Sequence, residues 1–202
     1  MVMAGYCTGL IASMPLSQTV RRKTMHTRVV TCNGYQREDG LWDIEGHMVD
    51  TKPYAFRNED RGGFINANEP LHGMWVRLTL DDTFKIHAAE AVTDYSPFKG
   101  CPEIANVFQG LVGESIGNGW NRKLKELMGG IQGCTHLTEL LGPIATTAFQ
   151  TIMSTRPDYC GDMDGLGQDR PPYIDTCHML REDGEVVMKY WPRFYKVTDT
   201  KE

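Results

Sequence analysis

The chain has 202 residues, enough for one sizeable hydrophobic core and short for two. Hydrophobic residues at 41% and charged residues at 23% are ordinary globular usage, which excludes collagen-like, coiled-coil and fully disordered chains. A net charge of -5, from 21 Lys+Arg against 26 Asp+Glu, argues against a broad nucleic-acid-binding surface.

The cysteines Cys7, Cys32, Cys101, Cys134, Cys160 and Cys177 are widely spread and form no CxxC pair, so a reduced, cytoplasmic protein is expected. The apolar stretch from Ala4 to Met14 is too short for a membrane span and lacks the preceding basic residues of a leader. No membrane partner is expected. Residues 1–20 read as a frayed extension, 21–154 as the folded domain, 155–172 as a Gly/Pro-rich linker and 173–202 as a C-terminal element packed on the same domain.

His26–Tyr35 and Leu41–Lys52 alternate around Asp39-Gly40 and read as a hairpin. The alternation sets Asp43, Glu45 and His47 on one face and Trp42, Ile44 and Met48 on the other, the second being the core face. Residues 57–71 read as a charged loop. Met74–Leu80 and Phe84–Thr93 pair around Asp81-Asp82-Thr83. Ile104, Val107, Phe108, Leu111 and Val112 follow helical spacing behind Cys101-Pro102-Glu103. A short basic helix is expected over Trp120–Met128, and a longer one from about Thr135, with Leu137, Leu141, Ile144, Ala148 and Ile152 on one stripe and a kink at Gly142-Pro143. Tyr173–Tyr195 is a tail element with Asp183-Gly184 as its turn. Strands followed by helices predict an α+β domain, a mostly antiparallel sheet with helices packed on one face.

Three element ends carry soft or imidazole ligands. Leu71-His72-Gly73 is expected just before a strand, Lys99-Gly100-Cys101 just before one helix and Gly133-Cys134-Thr135-His136 just before another. Helix starts favour thiolate at Cys101 and Cys134 and neutral imidazole at His136, the forms that bind metal or act as base. The same cysteines also suit plain packing as small hydrophobes. His136 suits backbone bonding at a helix start, and Asp43, Glu45 and His47 suit a solvated strand face. Cys177-His178 with Asp175 has the composition of a nucleophile set, but neighbours on a strand point apart. Asp162-Met163-Asp164-Gly165 lacks the full calcium-loop pattern.

The order His72-Gly73, Met74–Asp82, Gly100-Cys101 and Cys134-Thr135-His136-Leu137-Thr138-Glu139 resembles the ligand order of the U-type iron-sulfur scaffold proteins. In that family a Cys-Gly-Asp loop precedes a strand pair, a Gly-Cys opens a helix and a third Cys opens the last helix. Here His72 and Met74 stand in place of the Cys and the Asp, and His136 is an addition. The resemblance implies the scaffold fold and a metal or iron-sulfur carrier, held by His72, Cys101, Cys134 and His136. Four such ligands suit tetrahedral zinc.

A second resemblance spans most of the chain: His26-Thr27-Arg28, Asp39 to His47, Gly133 to Pro143, and Cys177-His178 through Pro192-Arg193-Phe194-Tyr195. These segments are similar to the bacterial domain-of-unknown-function 2889 family. That likeness implies a role in aromatic-compound breakdown and a lyase releasing formaldehyde from a lignin-derived phenolic dimer, with a small aromatic substrate as partner. A homo-oligomer is compatible with it. Such chemistry needs a base, an oxyanion stabiliser and an apolar slot for two rings. His72, His136 and His47 are candidate bases, with Cys134 beside them. Glu139 stands three residues from His136 on one helix face to orient it. Arg77 and Lys99 are candidate oxyanion stabilisers, and Trp75, Tyr95 and Phe98 candidate ring walls. The enzyme reading expects either no cofactor or a zinc ion, and a closed aromatic-lined cavity. The carrier reading expects an exposed site.

Overall fold

A computed structural model describes residues 16–155 and 170–197. Cys7, Cys160, Asp162-Met163-Asp164-Gly165 and most of the expected linker lie outside the described residues.

β1 (Thr27–Gln36) and β2 (Trp42–Thr51) form the expected hairpin, in register from Thr27 opposite Thr51 to Gln36 opposite Trp42. Gly40 supplies the left-handed backbone (φ 84) that the Asp39-Gly40 turn demands. Burial alternates along β2: Trp42, Ile44 and Met48 are in the core, while Asp43, Glu45 and His47 are half-buried on the other face.

The charged stretch 57–71 is not a plain loop. β3 (Phe56–Asn58) and β4 (Gly63–Ile65) pair across a single 3-10 turn, Glu59–Arg61, capped by the Asn58 side chain and closed by Gly62 at φ 81. Turn-forming residues dominate the composition, and the flanking strands are too short to show a period. β5 (Pro70–Leu80) then starts earlier than expected, so His72 lies inside a strand rather than before one. β6 (Ile86–Tyr95) completes a four-stranded antiparallel sheet in the order β1-β2-β5-β6.

Residues Cys101–Leu111 coil as a 3-10 helix rather than the expected α-helix. The apolar pairs Ile104/Val107 and Phe108/Leu111 stand three apart, which is the 3-10 repeat. α1 (Trp120–Met128) buries Trp120, Leu124 and Met128 at four-residue spacing. α2 (Thr135–Met153) buries Leu137, Leu140, Leu141, Ile144, Ala148 and Ile152 against the sheet. It runs on through Pro143, and the carbonyl that loses its partner N–H belongs to Glu139, an exposed residue. Close approach of α2 to β2 requires Gly46, since a Cβ there would stand 2.7 Å from Ile144 Cδ1. All of these helices cover one face of the sheet.

Residues 170–197 carry α3 (Glu185–Tyr190) and a small core of Tyr173, Ile174, Val187 and Trp191, against which Phe149 of α2 packs. Cys177 and His178 sit at the start of a 3-10 turn and not on a strand. Among the described residues no helix is long and apolar enough to cross a membrane.

Candidate functional site

Strand register builds the site. His26, just before β1, and Arg28, within it, are two apart and both reach Asp50. Arg28 lies opposite Asp50 of β2, and Asp50 lies opposite His72 of β5, so all three project to the helix-covered side. The first turn of α2 then brings His136 onto His72, with ring centroids 3.8 Å apart at 31°. It also brings Glu139 to Arg28, whose Nη1 donates to Glu139 Oε2. Four chain segments, at β1, β2, β5 and α2, meet around one fully buried carboxylate.

Asp50 is saturated. Its Oδ1 accepts from His26 Nε2 at 2.9 Å and Arg28 Nε at 2.8 Å, and its Oδ2 from Arg28 Nη2 at 2.8 Å and His72 Nδ1 at 2.9 Å. A carboxylate has about four lone-pair sites, and all are used. Burial pushes the Asp50 carboxyl up, but the hydrogen bonds from Arg28, His26 and His72 outweigh it and hold the group well below the usual carboxylate range. Asp50 is therefore ionised, and it can only accept. It follows that His72 carries its proton on Nδ1 and presents Nε2 as a lone pair when neutral.

Both core histidines are biased to the neutral form. Burial lowers His72, aided by the neighbouring His136, with Asp50 opposing. Burial also lowers His136, aided by the Arg28 charge. Arg28 is raised by its bonds to Asp50 and stays a permanent cation.

The sheet divides the residues singled out in the sequence. His72, His136 and Glu139 meet on the helix side. His47, Trp75, Arg77 and Tyr95 are on the opposite, open face: His47 stacks on Trp75 at 3.7 Å, and Trp75 Nε1 donates to Asp94 at 2.9 Å. Arg77 pairs with Glu90 and, at 3.7 Å, with Glu45. The Tyr95 ring covers Gly73. Phe98 is exposed beyond the end of β6, and the Lys99 backbone N–H donates to Asp60. Alternation along β5 is the reason: Trp75 and Arg77 are odd-numbered neighbours of His72, and successive side chains point to opposite faces.

Cys101 opens the 3-10 helix and Cys134 precedes α2, both half-buried. Neither belongs to the one group of metal-spaced side chains among the described residues, Asp50, His72 and His136, whose ligand atoms lie within 4.8 Å of one another. In that group Asp50 is already fully bonded, which leaves two imidazoles free for an ion.

Asp50, Arg28 and His26 were not expected from the sequence. One signal was present: carried on two residues past Met48, the β2 alternation sets a charged Asp on the core face. Beside the cluster, α1 and α2 form an open groove of about 390 Å3 whose lining includes Leu124, Lys125, Met128, Thr138 and Glu139, and no aromatic side chain. This differs from the expected closed, aromatic-lined cavity.

A family model described as protein of unknown function (DUF2889) matches residues 26–150, which span β1 to α2 and hold every member of the cluster. No curated protein and no solved structure matches the chain. The likeness to U-type iron-sulfur scaffolds thus rests on motif order alone.

Proposed function

Starting from a chain that belongs to the DUF2889 family, we propose that it is an acid-base enzyme in which His72, oriented by Asp50, is the general base. The observation that carries the reading is the bond from His72 Nδ1 to a buried, ionised Asp50, which leaves Nε2 as a proton acceptor. His136, whose ring lies tilted 3.8 Å from that of His72, is the adjacent imidazole for returning the proton. Arg28 is the nearby cation for a developing oxyanion, the role first sought at Arg77 or Lys99.

The specific reaction we propose is release of formaldehyde from a phenolic dimer bearing a hydroxymethyl group next to an aryl ether. The base takes the hydroxyl proton, and the O–H pair becomes the carbonyl of formaldehyde. The broken C–C pair forms an alkene, and the aryl ether leaves as a phenolate that takes up a proton. No electrons are gained or lost, so no redox cofactor is needed. Support comes from the cluster, which holds a neutral base and a fixed cation together; a place in aromatic catabolism in the cytoplasm is part of the proposal.

Metal or iron-sulfur carriage is the weaker reading, because Asp50 has no lone pair left to give. The test is turnover of such a dimer with formaldehyde detection. Wild type is expected to release one formaldehyde per alkene, and His72→Gln to lose on the order of 10²–10⁴ in rate. Unchanged turnover with both His72 and His136 replaced by alanine would sink the reading.

A further inference from the structure

Two polar groups of the groove between α1 and α2 have no use in the fold. Thr138 Oγ1 is buried and has no hydrogen-bond partner, although a helical threonine commonly bonds the carbonyl four residues back. Lys125 makes no ion pair among the described residues, whereas its neighbours Arg122 and Lys123 are paired with Glu126 and Glu114. Between them lies apolar ground: Leu124 and Met128 on α1, and Gly142 on α2, where a Cβ would meet nothing within 4 Å. Lack of a side chain at 142 also suits the helical residue before Pro143. The far wall is Glu139, whose charge Arg28 already answers, and this carboxylate is the residue that the groove shares with the His72 cluster.

We propose that this groove is the substrate-binding site and that it takes a ring-bearing carboxylate. The ring lies on Leu124, Met128 and Gly142, an oxygen of the ligand meets Thr138 Oγ1, and the anion is held by Lys125. A volume of about 390 Å3 is at the small end of ordinary ligand sites and fits one ring system with its side arm. The inference deepens the acid-base reading above and rests on it for the identity of the bound molecule as substrate.

The test uses the full chain, amide chemical-shift mapping, trans-cinnamate as probe and cinnamyl alcohol as its uncharged analogue. Saturable shifts confined to 121–142 are expected, with cinnamate tighter than the alcohol by about fivefold and that advantage lost in Lys125→Ala. Thr138→Val keeps the shape and removes the hydroxyl. It should weaken both probes while leaving the Tm unchanged or higher, a result that a merely structural hydroxyl would not produce. No saturable shifts at millimolar probe, or shifts centred on Trp75 and Tyr95 of the open face, would overturn the proposal. The two readings fail separately. Groove binding without turnover of the dimer removes the acid-base reading alone. Turnover whose KM is indifferent to Lys125→Ala and Thr138→Val removes the groove alone.

Discussion

His72 bonds Asp50 from directly across the β2–β5 ladder, so the strand register itself orients the imidazole. The same register sets Arg28 against the other side of Asp50, and the carboxylate is clamped between two neighbouring strands. The consequences for stability, pH response and specificity can each be measured.

Removing the clamp should cost the fold heavily. Asp50 is fully buried, and Asp50→Ala leaves Arg28 and two imidazoles without their acceptor. Loss of one partner of a buried ion pair typically costs about 3–5 kcal/mol. Urea denaturation is expected to show a loss in that range, with Asp50→Asn milder because one acceptor oxygen remains. A loss below about 0.5 kcal/mol, the scale of ordinary surface changes, would contradict the clamp.

Acid should destabilise the protein in two stages. His72 and His136 have folded values below the ordinary 6.5, so the unfolded chain protonates first as pH falls. Their contribution is complete above about pH 6.5 and is lost progressively below it. Asp50 is shifted down from 3.8, so its contribution is present above that value and lost only in stronger acid. Denaturation midpoints at pH 7.5, 6 and 5 should therefore fall in order. His72→Gln should flatten the decline, and the turnover rate of wild type should drop along the same acid limb.

Arginine chemistry should matter on one face of the sheet and not on the other. Arg28 spans Asp50 with Nε and Nη2, a fork that lysine cannot reproduce. Arg28→Lys is expected to lower kcat/KM by at least about tenfold, roughly 1.4 kcal/mol of lost stabilisation. Arg77→Lys, on the open face between Glu45 and Glu90, should stay within about twofold, in line with the small worth of exposed ion pairs. Equal effects would mean that the sheet does not separate the two.

Gly46 should resist even the smallest side chain. A Cβ at this position would sit 2.7 Å and 2.8 Å from two carbons of the fully buried Ile144. Overpacking of this kind costs about 1–3 kcal/mol. Gly46→Ala is expected to lose that much in thermal or chemical unfolding, and the pair Gly46→Ala with Ile144→Val to recover part of it. No recovery in the double variant would show that the strain lies elsewhere.

Zinc should bring no stability. Asp50 offers no free lone pair beside His72 and His136, so wild type with equimolar zinc is expected to melt where the untreated protein does. A zinc-dependent rise in Tm that disappears in His136→Gln would revive the metal-binding reading.

What the sequence determined by itself is local. The Asp39-Gly40 turn, the two-residue alternation of β2, the pairing of β5 with β6 around Asp81-Asp82-Thr83 and the apolar stripe of α2 follow from patterns a few residues long. His72, His136 and Glu139 were legible as chemistry by residue type and spacing: His136 opens α2 with Glu139 three residues on, while His72, expected just before a strand, lies inside β5. Tertiary structure decided the rest. Linear proximity placed Trp75 and Arg77 with His72, but a period of two sends strand neighbours to opposite faces, and only the covering by α2 says which face is enclosed. Asp50, Arg28 and His26 joined the site through cross-strand register, a relation between residues about 22 or 24 positions apart. No short pattern records that distance, since it is set by where two strands come to rest against each other and against the helix above them.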